Sequence, residues 1–315
     1  METVRDFVSK YKLKTVAFAG LKTNLRRGAP FLALSAALGA PPTVSAPDAL
    51  QTLRGGSFSR DAQPRARTTI LDWNIDRGTH LNDIEGQMRQ IVPDLCIFQE
   101  VDLGARRSGR IDVAQKLAET FQMNYVFAPE FEELSQGTRQ NPAYHGQALL
   151  TKLPIRSSRM LRFTHQSGFW KPRPLLSSSL PLLQRREGGR IALVTELDNG
   201  GKPLVVYNLH LESRGNDRLR LEQLEEVLND AQRYPQETSV IIAGDLNTKP
   251  PHSALVPRLR QAGYRNAFGD RHLRTHVIFG ALDWVFVRGP IELGDANVLR
   301  VGGSDHFPIA VNVRL

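Results

Sequence analysis

Asp305 and His306 stand side by side in GGSDHFPIAV, Gly302 to Val311, just before the last apolar, β-branched run of the sequence. A carboxylate beside an imidazole at a strand mouth can hold a metal-bound phosphate and deprotonate the water that attacks it. Groups of the same kind recur at the edges of other strand-like runs: Asn74 and Asp76, Glu100, His210, Asp245 and Asn247, and Asp283. In GDLNT, Gly244 to Thr248, a carboxylate and an amide lie two residues apart. If that segment stays extended, alternation sends Asp245 and Asn247 to one side, where an acceptor and a neutral donor can orient a water and hold a phosphoryl oxygen. The plain alternative is an Asx turn after a strand. Asn74 and Asp76 repeat the spacing, and Glu100 adds a carboxylate. Hard Mg²⁺ takes such oxygen donors together with water and substrate phosphate, whereas zinc would want more His or Cys. His210 alone reads equally as a satisfied structural histidine, and Asp283 as a turn cap before WVFV.

These residues must be delivered by strands. TTILDWNI, Thr68 to Ile75, is a buried-strand run that ends beside Asn74 and Asp76, and DLCIFQEV, Asp94 to Val101, ends on Glu100. Between them Asn82 can cap a helix through about Ile91, with Pro93 as its stop. A second helix is expected from about Asp112 to Phe121, and the longest from Asp217 to about Tyr234. Further strands are expected near Val126, Leu149, Leu193 and Val206, and in SVIIAGDLN, LDWVFVR and FPIAVNV. Strands mostly joined directly, with few helices between, predict an α+β or mixed α/β fold with antiparallel pairing. Phe163 to Gly189, with Trp170 and the basic QRREGGR, is long and irregular, a candidate lid or substrate wall.

The chain of 315 residues carries a formal charge of +9 and a pI of about 9.9. Residues 1–67 hold 11 Lys or Arg against 4 Asp or Glu, so residues 68–315 keep only 30 against 28. A nearly neutral catalytic region gives little support to binding of a long duplex. The division expected is a basic, poorly ordered extension over 1–67 and a catalytic domain over 68–315. Arg26, Arg27, the apolar Phe31 to Ala40 and the small residues Val44, Ser45 and Ala46 resemble an export signal, but the leader before the apolar run is long. A cytoplasmic protein is therefore favoured over an exported one, and residues 1–46 as a cleaved signal remain the alternative. No apolar run reaches the roughly 18 to 20 residues of a membrane span. The single Cys96 lies in the apolar LCIF and reads as a buried hydrophobe. Nothing in the composition speaks against a monomer.

Taken in order, WNID at 73–76, QEVD at 99–102, HGQALLTKLPI at 145–155, NLHLES at 208–213, GDLNT at 244–248, LDWVF at 282–286 and GSDHFPIAV at 303–311 resemble the endonuclease/exonuclease/phosphatase superfamily of DNase I-like phosphoesterases. The resemblance implies a four-layer α/β/β/α sandwich with the active site at one edge of two mixed sheets. It implies Mg²⁺ or Mn²⁺ held by Glu100, with Asn74, Asp76 and Asp305 near the ion or its water shell. His306 would be the general base, oriented by Asp283; His210 and Asn247 would stabilise charge on phosphoryl oxygens, and Asp245 would orient the nucleophile or assist the leaving group. His145 departs from the uncharged polar or aromatic residue the family often carries there.

One machinery in this superfamily serves nucleic acids, nucleotides, phospholipid headgroups and inositol phosphates, so the motifs do not choose a substrate. Arg106 and Arg107 in GARRSGR, and Arg185 and Arg186 in the long insertion, are the candidate phosphate grips, against the plain reading of solvated loop arginines. The leading expectation is a phosphodiesterase of nuclease type acting on nucleic acid or nucleotide. A lipid-headgroup or inositol phosphoesterase is second, and a catalytically silent binding module third.

Overall fold

In the computed structural model, residues 49–61, 63–171, 186–248 and 253–315 are described. Among them two sheets form. The first runs in the order β1 (Arg54–Gly56), β4 (Asn124–Glu133), β5 (Tyr144–Thr151), β3 (Leu95–Leu103), β2 (Arg67–Arg77), β14 (Ile309–Arg314) and β13 (Glu292–Val298), with β7 (Arg186–Gly188) added to β4. The second runs β11 (Arg265–Asn266), β12 (Asp283–Arg288), β10 (Ser239–Asp245), β9 (Lys202–His210), β8 (Ile191–Asn199) and β6 (Ile155–Arg162). Pairing is antiparallel except for β2 with β3 and β9 with β10.

Alternation along the strands sorts the core into three layers. Ile70, Ile97, Leu149, Leu193, Val206, Ile241 and Val285 fill the space between the sheets. Their sequence neighbours point the other way. Leu71, Cys96 and Phe98 meet α1 (Leu81–Ile91) and α2 (Val113–Phe121) through Ile84, Met88 and Leu117. Val205, Tyr207 and Ile242 meet α3 (Asp217–Ala231) and α4 (Leu255–Gln261) through Leu224, Val227 and Leu259. The result is the four-layer α/β/β/α sandwich that the motifs implied, a mixed α/β fold with Cys96 buried in it.

The two parallel pairs decide where the chemistry sits. A parallel pair needs a crossover, supplied by α1 between β2 and β3 and by α3 between β9 and β10. Both crossovers leave the strand C-termini on one edge. The antiparallel neighbours β14 and β12 begin at that edge, with Ile309 opposite Asp72 and Asp283 opposite Asp245.

Local departures have physical causes. α1 starts at Leu81, with His80 as the flanking residue and Asn82 already inside, because the His80 carbonyl accepts from the N–H of both Asp83 and Ile84. Asp112 and Asn216 cap α2 and α3 through bonds from Gln115 and Leu219. β3 does not end on Glu100 but runs on to Leu103 through a register shift. Before Thr68, β1 already pairs with β4, and Arg65 bonds both Asp94 and Asn199. Among the described residues no helix is long and apolar enough to cross a membrane. The expected export signal, Arg185 and most of the Phe163 to Gly189 insertion lie outside the described residues.

Candidate active site

Three short side-chain turns deliver the polar groups to the shared sheet edge. Asn74 Oδ1 accepts from Asp76 N at 3.2 Å, Asp245 Oδ1 from Asn247 N at 2.9 Å, and Ser304 Oγ from His306 N at 3.1 Å. The Asx turn, rather than continued strand alternation, therefore places the Asp245/Asn247 and Asn74/Asp76 pairs. Asp76 and Asn247, in two of these turns, hold positive φ angles of 41° and 49°, and Glu100 holds 51° at a register shift in β3. Non-glycine residues seldom adopt such angles, and strain of this kind concentrates at functional sites. Register shifts at Asn74/Arg77 and Phe98/Val101 make bulges that aim Asp76 and Glu100 off the sheet edge.

His306 lies at the centre of the buried half. Its Nδ1 is 2.9 and 3.0 Å from the two Asp283 carboxylate oxygens, its carbonyl accepts from Trp73 Nε1 at 2.9 Å, and its Nε2 faces Asp245 Oδ2 at 3.8 Å. Thr275 Oγ1 accepts from the N–H groups of Leu282 and Asp283 and so fixes where β12 begins. Asp245 Oδ2 is also 3.3 Å from Asn74 Nδ2 and 3.6 Å from His210 Nε2. Three nitrogens from three strand ends thus converge on one carboxylate oxygen.

The electrostatics follow from burial and close packing of like charges. Burial, then Asp283, pushes the Asp245 carboxyl up to about 7. Burial opposes charge on His306, but Asp283 and Asp245 outweigh it and lift the imidazole to about 10. His210, buried and facing Arg190, is held well below the ordinary imidazole value and is neutral. Asn247 Nδ2 donates to the Leu211 carbonyl at 2.9 Å.

The other half is partly exposed and anionic. Arg77 pairs with both Asp76 and Glu100. Burial, then Glu100 and Asp305 acting against Arg77, raises Asp76. Burial also acts to raise Glu100, but Arg77 foremost holds it well below the usual carboxylate range. Carboxylates that repel one another around a single guanidinium, with the Asn74 amide beside them, form an all-oxygen donor set suited to a hard divalent cation. Two tighter groups also bring ligand atoms within 4.8 Å of one another: His276, Asp305 and His306, and Asp245, Asp283 and His306. In the second, the hydrogen bond between His306 and Asp283 is the geometry of a proton-sharing pair.

All nine residues expected at the catalytic and metal positions lie on or beside this one edge. The arginines divide. Arg107 is held by Asp102 at 2.7 Å and by Glu133 at 3.2 Å, Arg106 is exposed, and Arg186 is buried and pairs with Glu133 at 2.5 Å. His145 is buried, with Nδ1 3.1 Å from Asp102 Oδ1. Sequence reasoning missed His276, whose Nδ1 accepts from the N–H of Ile278 and Phe279 and whose Nε2 is 3.6 Å from Asp305 Oδ2. It also missed Arg77, Arg190 and Arg214, which join Arg186 around a cavity of about 310 Å³ that opens on Glu100 and Asn247. Arg77 adjoins a quoted motif and could have been suspected from that position alone; His276 lies in a loop with no signal.

No curated protein matches the chain. Among solved structures, an endonuclease/exonuclease/phosphatase from Beutenbergia cavernae is 18% identical with a TM-score of 0.58, covering 80% of this chain and 72% of that one. The human Nocturnin catalytic domain with bound sulfate is 16% identical with a TM-score of 0.60, covering 84% and 97%. D. rerio TDP2 complexed with single strand DNA product is 17% identical with a TM-score of 0.54, covering 80% and 100%. These likenesses concern the fold. The family model for the endonuclease/exonuclease/phosphatase family matches residues 73–306, from the first of the quoted motifs to His306 itself, and the chain belongs to that family.

Proposed function

We propose that the chain is a divalent-metal-dependent phosphoester hydrolase, a phosphodiesterase of nuclease type, in which His306 is the general base. The observation that carries this reading is the convergence of Asn74 Nδ2, His210 Nε2 and His306 Nε2 on Asp245 Oδ2, with Asp283 gripping the far nitrogen of His306. Members of the family are generally hydrolytic phosphoesterases, and a relative of the same fold is complexed with a single-strand DNA product.

Asp283 accepts from Nδ1–H and leaves Nε2 as the nitrogen that meets a reacting water. Two carboxylates make that imidazole a strong base once it is neutral. Asp245, poised near neutrality, orients the water or passes a proton toward the leaving oxygen. Neutral His210, with the Asn247 amide, donates to phosphoryl oxygens where negative charge grows; removing one such fixed donor typically costs about 10²–10³ in rate. Glu100, Asp76, Asp305 and Asn74 would hold Mg²⁺ or Mn²⁺. The ion would supply Lewis acidity toward a phosphoryl oxygen.

Product release from single- and double-stranded DNA, RNA, sphingomyelin, inositol phosphates and a bis-aryl phosphodiester, each with Mg²⁺, Mn²⁺ or EDTA, tests the reading. Metal-dependent cleavage lost in His306→Ala supports it. Wild-type turnover in a folded His306→Ala or Glu100→Gln variant overturns it.

A further inference from the structure

The cavity beside Glu100 has a composition that the general phosphoesterase chemistry does not use. Its wall carries four guanidiniums, of which Arg77 pairs with Asp76 and Glu100, Arg186 with Glu133 and Arg190 with Glu130, while Arg214 packs on aromatic rings. Arg186 and Arg190 are only 4% and 2% exposed. Burying guanidiniums costs free energy unless partners compensate, and here they also crowd one another. Burial, with Arg77 and Arg107 adding repulsion, lowers the proton affinity of Arg186 despite Glu133 and Glu100.

The arrangement is also built to be stiff. Trp170 presents its ring to Arg186, Arg190 and Arg214 at 5.1, 5.8 and 6.0 Å, and Phe131 takes Arg186 and Arg190 at 5.4 and 5.5 Å. Cation–π contact at these distances orients a guanidinium while leaving its edge N–H groups for hydrogen bonding. The indole is itself pinned, because Trp170 Nε1 donates to Glu212 at 3.0 Å and Ser167 Oγ holds the other Glu212 oxygen at 2.7 Å. From behind, Glu130 anchors Arg190 at 2.9 Å, yet Arg190 Nε is buried without a hydrogen-bond partner. Planar guanidinium forks held in place before the ligand arrives are the usual solution for a phosphate.

Resting on the phosphoesterase reading above, we propose that this cavity is a second phosphate subsite. The substrate is then a small organic phosphoester that carries a terminal phosphate monoester close to its scissile phosphate, rather than an internal stretch of a long strand. A volume of about 310 Å³ takes one compact anionic group. Several guanidinium forks around one cavity, with Arg214 in no ion pair among the described residues, match a dianionic monoester better than the monoanionic diester of a continuous backbone.

Two measurements on the full chain separate this proposal from the reading it rests on. Calorimetry in EDTA compares thymidine 3′,5′-bisphosphate with thymidine 5′-monophosphate. The bisphosphate binds about tenfold or more tightly to wild type, the worth of one or two charge-assisted hydrogen bonds. That preference disappears in Arg214→Gln, an exposed position that unfolding does not confound, and in Arg186→Gln. Turnover is then followed with Mg²⁺ on thymidine 5′-(4-nitrophenyl phosphate), with and without a 3′-phosphate. Wild type favours the 3′-phosphorylated compound about tenfold in kcat/KM, and Arg214→Gln loses that preference while keeping its rate on the unphosphorylated one. Equal affinity for the two nucleotides, or a preference retained in both variants, overturns the subsite. Bisphosphate selectivity without hydrolysis of either ester leaves the subsite standing and overturns the phosphoesterase reading instead.

Discussion

The two sheets use one construction for opposite chemical ends. Each has a parallel pair joined by a crossover helix, β2–α1–β3 in one and β9–α3–β10 in the other, and each receives an antiparallel neighbour at the same edge. In the first sheet that edge carries Asp76, Arg77 and Glu100, with side chains 20% to 29% exposed. In the second it carries His210, Asp245 and Asp283, with side chains at most 3% exposed. Water reaches the first group, as a hydrated divalent ion requires. It scarcely reaches the second, where proton affinities are shifted by burial and by one another. His306 joins the halves: its chain enters the first sheet through β14, while its ring is held by Asp283 of the second.

The largest effects come from removing either half. Glu100→Gln and His306→Ala should each lower phosphoester hydrolysis by about 10²–10⁴-fold, the first by weakening electrostatic stabilisation through the metal and the second by removing a positioned base. Only the Glu100 variant should also weaken Mn²⁺ binding, read by electron paramagnetic resonance of the unbound ion. Equal loss of Mn²⁺ binding in both variants would erase the division of labour.

Asp283→Asn probes the join. With the imidazole lifted to about 10 chiefly by Asp283 and then Asp245, activity should rise with pH as the base loses its proton, along a limb above the ordinary value of 6.5. Removing the Asp283 charge weakens the imidazole's hold on its proton, so the limb moves to lower pH. The maximal rate falls at the same time, because Nδ1 is no longer fixed. A limb that stays in place in the variant would mean that Asp283 is only a structural cap.

How far the sequence foretold this comparison depends on where each residue sits in a sheet. Central strands such as β3 and β10 are continuous apolar runs because both faces are covered, so they and the residues at their ends were legible. The strands not foreseen, β1, β6, β7, β11 and β13, all lie at sheet margins, where one flank needs no apolar partner; β6 reads IRSSRMLR. α4 was missed because Pro257 interrupts a short run. Within the site, groups carried by strand ends were visible as types. The contacts that only topology makes were not: His276 reaches Asp305 across nearly thirty residues of chain, and Arg190 and Arg214 reach Trp170 from different connections. Of the two readings of GDLNT, the Asx turn is the one that forms, and it brings Asp245 and Asn247 together without strand alternation.

His276→Ala is a smaller perturbation at the boundary between the halves. The ring touches His306 edge-on at 4.7 Å between centroids and approaches Asp305, which burial acts to raise but His276 and His306 hold low. Because the N–H groups of Ile278 and Phe279 occupy Nδ1, only Nε2–H faces the carboxylate. Its loss should reduce the rate by about tenfold at most, the worth of one close charged contact, mainly by raising the Mg²⁺ concentration needed for half-maximal rate. His276→Gln should recover part of it; no change in the Mg²⁺ titration would remove His276 from the metal side.

The smallest effect expected is on stability, and it has the opposite sign. Asp72 lies between the sheets beneath both halves, with Oδ1 accepting from Gln99 Nε2 at 2.9 Å and Oδ2 buried without a partner. Gln99 Nε2 reaches on to Asn208 Oδ1 at 2.9 Å, so one amide ties the two sheets. Burial, then Asp283, raises the Asp72 carboxyl well above its value of 3.8 in an open chain. The folded protein therefore binds a proton more tightly there than the unfolded one, and stability falls as pH rises from that value through the folded one. Asp72→Asn keeps an oxygen for Gln99 and removes the titration. It should raise Tm by about 3 °C at pH 8 and by less at pH 5, as seen in thermal unfolding at the two pH values. A variant less stable than wild type at pH 8 would show that the buried carboxyl is an ionised member of the site, and that the dry half extends its charge network down between the sheets.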